Sequence, residues 1–138
     1  MNTKAVIRGS CHCGAVIWDF AGMPADVTVC NCTLCRRTGA VWAYGYADED
    51  IVVRSAPEAE GVYVQGDRML GVHFCRHCGN VSHWLSLEPE SDGRLRMAVN
   101  LRLAEPGQVR PIPLKRFDGF DTWTSTPAEG RCMADLWF

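Results

Sequence analysis

Seven of the eight cysteines stand in three tight clusters: Cys11-His12-Cys13, Cys30-Asn31-Cys32-Thr33-Leu34-Cys35 and Cys75-Arg76-His77-Cys78. At this spacing thiolates are suited to converge on a metal ion. Residues i and i+2 of a strand share a face, and two Zn–S bonds of about 2.3 Å at the tetrahedral angle place their sulfurs roughly 3.8 Å apart. A C-x-x-C turn achieves the same convergence by curling. Gly14 and Gly79, directly behind the two pairs, allow the chain to double back without a Cβ penalty. Cys11 and Cys13 combined with Cys75 and Cys78 give a closed set of four thiolates, the arrangement of a structural zinc.

The remaining triplet, Cys30, Cys32 and Cys35, is one ligand short of a tetrahedron. Three protein ligands leave a position for water or substrate, so the pattern implies two zinc ions per chain, one closed and one open. With three thiolates on one ion, the set is better suited to holding an exogenous thiol, or an aldehyde or alcohol oxygen, than to making hydroxide. The alternative is an internal fourth ligand, with Cys132 the first candidate and His12, His73, His77 and His83 the others. A lone cysteine is more often a buried hydrophobe. A thioredoxin-like use of the C-x-x-C would need a βαβ pattern, and none is visible.

The elements that must position these groups read as strands. Short β-type runs at 5–8, 15–20, 27–30, 41–47, 51–54, 62–65, 70–74, 81–87 and 94–100 are separated by Gly22-Met23-Pro24, Ala56-Pro57, Gly66-Asp67, Glu88-Pro89 and Ser91-Asp92-Gly93. Such spacing predicts an all-β fold. Val27 and Val29 are expected on one face, with Thr28 and Cys30 on the other. Helix is scarce: one short turn over 32–38 closed by Gly39, and a segment opened by Thr126-Pro127-Ala128-Glu129 as a capping box with proline at N1. Pro106, Pro111 and Pro113 make 104–125 an irregular excursion.

A chain of 138 residues with 47% hydrophobic content suits one globular domain with an ordinary core. Its formal net charge of −2, more negative once thiolates bind zinc, offers no field for nucleic acid or an anionic membrane. No apolar run approaches the ~20 residues of a membrane span, and residues 1–8 lack an apolar signal core. The reading is therefore a reduced, cytoplasmic protein in which clustered thiols serve metal rather than disulfides. Of Trp18, Trp42, Trp84, Trp123 and Trp137, most are expected in the core. The terminal Trp137-Phe138 is a candidate for an exposed apolar patch.

The clusters Gly9-Ser10-Cys11-His12-Cys13-Gly14, Cys30-Asn31-Cys32-Thr33-Leu34-Cys35-Arg36-Arg37-Thr38-Gly39 and His73-Phe74-Cys75-Arg76-His77-Cys78-Gly79 resemble the glutathione-dependent formaldehyde-activating enzyme family, which includes centromere protein V. Order, spacing and flanking glycines match, with Thr33 where serine is common. The resemblance implies a β-tent of short antiparallel sheets built around the structural zinc. It also implies a carbon–sulfur lyase-type enzyme that joins glutathione, or a related small thiol, to formaldehyde at the second zinc. Arg36 and Arg37 are then candidates to capture glutathione carboxylates. His12 and His77 are candidates for proton transfer, and Trp42, Tyr44, Tyr46 and His83 for the wall of a pocket serving another electrophile. The competing expectation is a non-catalytic interaction module in which both metals are structural.

Overall fold

The structure, a computed structural model, describes residues 5–137. Eleven strands and two short helices follow in order: β1 (Val6–Ser10), β2 (Val16–Ala21), β3 (Val27–Cys30), α1 (Cys35–Thr38), β4 (Val41–Tyr46), β5 (Ile51–Ser55), β6 (Glu60–Val64), β7 (Leu70–Cys75), β8 (Val81–Ser86), β9 (Arg96–Asn100), α2 (Pro106–Val109), β10 (Leu114–Phe117) and β11 (Ser125–Thr126). They form a three-stranded sheet, β1-β2-β5, and an eight-stranded sheet, β11-β10-β3-β4-β9-β8-β7-β6. The all-β expectation holds. All strand pairs are antiparallel except β10 with β3, which run parallel.

Alternation along each strand sorts side chains onto two differently covered faces. Ile7, Trp18 and Phe20 of the small sheet bury against Val27, Val41, Ala43, Met97, Val99 and Leu114 of the large one. The opposite face of the large sheet carries Trp42, Val72, Trp84 and Ala98, with Leu34 and Cys35 packed over them. The triplet segment thus covers one face of the large sheet and the main core covers the other. Burial on both faces explains why Thr28 is buried, contrary to the half-buried strand expected for 27–30; its hydroxyl has no hydrogen-bond partner. Trp18, Trp42 and Trp84 are core residues as expected, whereas Trp123 is 72% exposed. Phe138, half of the terminal aromatic pair, lies outside the described residues.

Two expectations for the C-terminal third are corrected. No helix starts at Thr126, which pairs with Arg116 as part of β11. Glu129 and Gly130 then turn the chain through positive φ angles of 54° and 82°. The apolar spacing of Met133 and Leu136 is spent on one 3-10 turn, Met133–Leu136, that begins at Cys132. Nor is 104–125 irregular throughout. Pro106 occupies the first turn of α2, where its missing N–H has no cost, and Pro113 stands just before β10.

Asp19 on β2 is held between Arg54, Nη1–Oδ2 2.7 Å, and Arg8, Nε–Oδ1 2.8 Å. Hydrogen bonds from Arg54 and then Arg8 hold its carboxyl at about 2, below its unfolded value of ~3.9. The stabilisation is therefore present above ~pH 4 and lost as pH falls through 2. Asp19→Asn is expected to cost about 1 kcal/mol at pH 7, since both arginines are half exposed. In paired urea titrations of wild type and variant, the gap should narrow from about pH 4 downward.

Candidate metal centre

The sheet order brings the first and third cysteine clusters together. Cys11 and Cys13 follow β1, and Cys75 ends β7. Gly14 and Gly79 adopt φ of 84° and 81° behind their pairs, as the knuckle reading requires. The Sγ atoms of Cys11 and Cys13 are 3.7 Å apart, and those of Cys13 and Cys75 are 3.6 Å apart. These separations match the roughly 3.8 Å of two sulfurs on one tetrahedral zinc. Cys78 completes the group, whose four sulfurs all lie within 4.8 Å of one another. Val16 N–H donates to Cys11 Sγ at 3.3 Å. The Asn80 N–H above all brings the Cys78 thiol down to about 6. Against the Ala15 N–H, which pulls it down, desolvation and the neighbouring sulfurs carry Cys13 up to about 11. Four sulfurs this close cannot all ionise unaided, so the donor set fits a soft divalent cation.

The triplet runs from Cys30, which ends β3, through Cys32 in the connecting loop to Cys35, which opens α1. Its sulfurs also fall within 4.8 Å of one another, and the group contains no fourth cysteine, histidine or carboxylate among the described residues. Cys32 N–H donates to Cys30 Sγ at 3.4 Å, and Cys35 N–H to Cys32 Sγ at 3.2 Å. The Trp42 indole N–H donates to Cys35 Sγ at 3.3 Å. Burial pushes the Cys30 and Cys35 thiols up. It acts on Cys32 in the same direction, but the Cys35 N–H and neighbouring donors bring that thiol below its ordinary value. This set also fits a thiophilic cation.

The proposed internal fourth ligands are elsewhere. Cys132 caps the C-terminal 3-10 turn, its backbone N–H donating to Asp135 Oδ2 at 2.9 Å. His12 and His77 are exposed beside the four-cysteine group. His73 and His83 face each other across β7 and β8, on the side opposite Val72, Trp84 and Cys35. His83 therefore neither completes the triplet nor walls a pocket beside it. Tyr46 is also withdrawn from such a pocket, its hydroxyl 3.1 Å from Glu90. Trp42 and Tyr44 do share the triplet's face of β4, and Tyr44 packs against Trp84.

Arg36 and Arg37 are exposed on α1. Arg37 Nη1 donates to the Thr33 carbonyl at 2.8 Å, and the residue lines a 220 Å³ cleft with Thr33, Leu34, Tyr63 and Gln65. A larger cavity of 350 Å³, bounded by Asp26, Lys115 and Pro127 among others, includes no cysteine in its lining.

A clasp that no local sequence pattern announces covers the triplet. Asn31, between the first two cysteines, donates from Nδ2 to Asp118 Oδ1 and accepts from Phe120 N–H, both at 3.0 Å. A Cβ on Gly119 would stand 2.9 Å from Cys30 Sγ, so the loop after β10 lies directly on the site. It presents Phe120 and Trp123, 68% and 72% exposed. Only the asparagine-to-loop pairing could have signalled this, and it spans 87 residues.

Residues 6–112 match the sequence profile of the family described as glutathione-dependent formaldehyde-activating enzyme. A Halomonas elongata protein, whose name carries the same activity provisionally, is 33% identical over 88 residues, which cover 54% of this chain and 53% of that protein. The chain thus matches about half the length of that curated relative. A crystal structure of a Rhodobacter sphaeroides protein is similar at TM-score 0.58 and 32% identity, covering 72% of this chain and 88% of the other.

Proposed function

The chain belongs to the glutathione-dependent formaldehyde-activating enzyme family, and on that premise we propose that it joins a small thiol, glutathione or a relative, to formaldehyde or another small aldehyde at the Cys30-Cys32-Cys35 group. The carrying observation is that group's composition: three converging sulfurs, with no fourth protein ligand among the described residues. On this reading Cys11, Cys13, Cys75 and Cys78 hold a structural zinc, and the triplet holds a second. Zinc bound by the triplet would supply an open position that keeps an incoming thiol ionised at neutral pH.

The protein's own groups do the rest. The Trp42 N–H and the backbone N–H groups of Cys32 and Cys35 spread the charge of the three thiolates. Arg37, and Arg36 beside it, offer guanidinium groups to the carboxylates of a glutathione-like thiol. The 220 Å³ cleft at Arg37 is where such a carboxylate would rest. Gly119, close over Cys30 Sγ, and the Phe120 N–H bonded to Asn31 hold the clasp over one side of the site. The reaction forms one carbon–sulfur bond. The carbonyl π pair moves to oxygen, and the proton lost by the thiol ends on that oxygen, giving a hemithioacetal. Tyr44, on the triplet's face of β4, is the candidate donor of that proton, directly or through water.

A glutathione titration of zinc-loaded protein, read by zinc–sulfur coordination together with formaldehyde consumption, tests this reading. Added thiol should enter the triplet's coordination sphere and consumption should exceed the spontaneous rate. Unchanged coordination and rate would remove the enzyme reading, leaving the exposed Phe120 and Trp123 to an interaction module. Tyr44→Phe is expected to lower kcat by roughly 10²-fold with metal content unchanged.

A further inference from the structure

Glu60, His73 and His83 belong to neither cysteine group, yet their ligating atoms all lie within 4.8 Å of one another. They come from three successive strands, β6, β7 and β8, on the face turned away from the triplet. His73 pairs directly with His83 across the sheet, and their rings stack at 4.4 Å. Glu60 stands diagonally opposite, paired with Cys75, two residues along the strand from His73. Its Oε1 is 2.8 Å from His73 Nδ1 and 3.4 Å from His83 Nε2. One carboxylate oxygen thus faces both imidazoles.

The surroundings fix each of these groups. In the β7–β8 register His73 opposes His83 and Phe74 opposes Val81, so Ser82 is the extra residue of a bulge. Its hydroxyl lies 3.1 Å from His83 Nδ1. If that nitrogen carries the proton and donates to Ser82, Nε2 presents its lone pair to Glu60 and His73. Ser55 Oγ donates to the other Glu60 oxygen. Outer hydrogen bonds of this kind orient metal-bound histidine and carboxylate ligands. The His83 side chain is only 3% exposed, whereas those of His73 and Glu60 are 18% and 24% exposed, so the site has an inner wall and a side open to solvent.

We propose that Glu60, His73 and His83 form a third metal site, a two-histidine, one-carboxylate set for a first-row divalent cation. Nitrogen and oxygen donors suit zinc, cobalt, nickel or ferrous iron, and three protein ligands leave room for water. The site is chemically distinct from the thiolate groups and can be read separately from them.

Cobalt(II) added to protein already carrying zinc on its cysteines is the probe. One further equivalent is expected to bind without thiolate-to-cobalt charge-transfer absorption and to shift the imidazole proton signals of His73 and His83 far outside the diamagnetic range. Glu60→Gln and His73→Gln, at partly exposed positions, should keep the cysteine-bound zinc and lose this equivalent. Ser55→Ala should retain it with affinity lowered about tenfold. Wild-type protein that binds no further cobalt overturns the proposal, as do imidazole shifts that persist in Glu60→Gln and His73→Gln.

Discussion

Cys11→Ser protein is expected to be unfolded at neutral pH even with zinc in excess. Cys11 and Cys75 are only 2% and 0% exposed, and they pack with Val16 and Ala59. The four-cysteine group ties the end of β1 to the end of β7, in different sheets. Structural zinc binding in small domains is worth on the order of 10 kcal/mol, comparable with the whole stability of roughly 5–15 kcal/mol that a domain has to lose. A chelator competing for the same ion should act like the mutation. Far-ultraviolet dichroism, together with the tryptophan near-ultraviolet signal of buried Trp18, reads the loss. A soluble, cooperatively folding Cys11→Ser protein that retains both cysteine-bound metals would remove the structural assignment.

Cys32→Ser should separate the two cysteine groups. Its position is half buried on a surface loop, and the residues beneath the triplet, Trp42, Trp84 and Ala98, are packed independently of Cys32. The variant is therefore expected to fold, to carry one cysteine-bound zinc fewer, and to show no thiol–aldehyde addition above the spontaneous rate. Metal analysis beside the activity assay distinguishes this from misfolding. Full zinc content with normal activity would show that another residue can replace Cys32.

The contrast reflects what sequence can convey. The cysteine clusters are legible because each is local in sequence, although Cys11 and Cys13 converge in the turn after β1 rather than on a strand as expected. Gly39 likewise ends α1 with φ of 71° as expected. The strands of the first hundred residues announced themselves by β-branched runs between breakers. Leu114-Lys115-Arg116-Phe117 did not, because only one of its four residues is buried and its partner β3 lies more than eighty residues upstream. Glu60 is silent in the sequence for a related reason. It is an ordinary surface-type residue until antiparallel pairing of β6, β7 and β8 brings it against two histidines. The face on which His83 would emerge was equally hidden, since the bulge at Ser82 shifts the register. The Trp42 N–H reaches Cys35 only because α1 folds back over β4.

The parallel seam between β3 and β10 has a consequence for how the protein is made. β3 carries Cys30, and its outer neighbour arrives only when 114–117 have emerged, with Asn31 waiting for Asp118 and Phe120. At typical elongation rates that interval is on the order of ten seconds. Throughout it the three sulfurs are bare on the nascent chain, open to oxidants and to whichever thiophilic ion is free. The clasp is thus also a matter of timing, since it can close over the three cysteines only after they have waited uncovered for the last third of the chain.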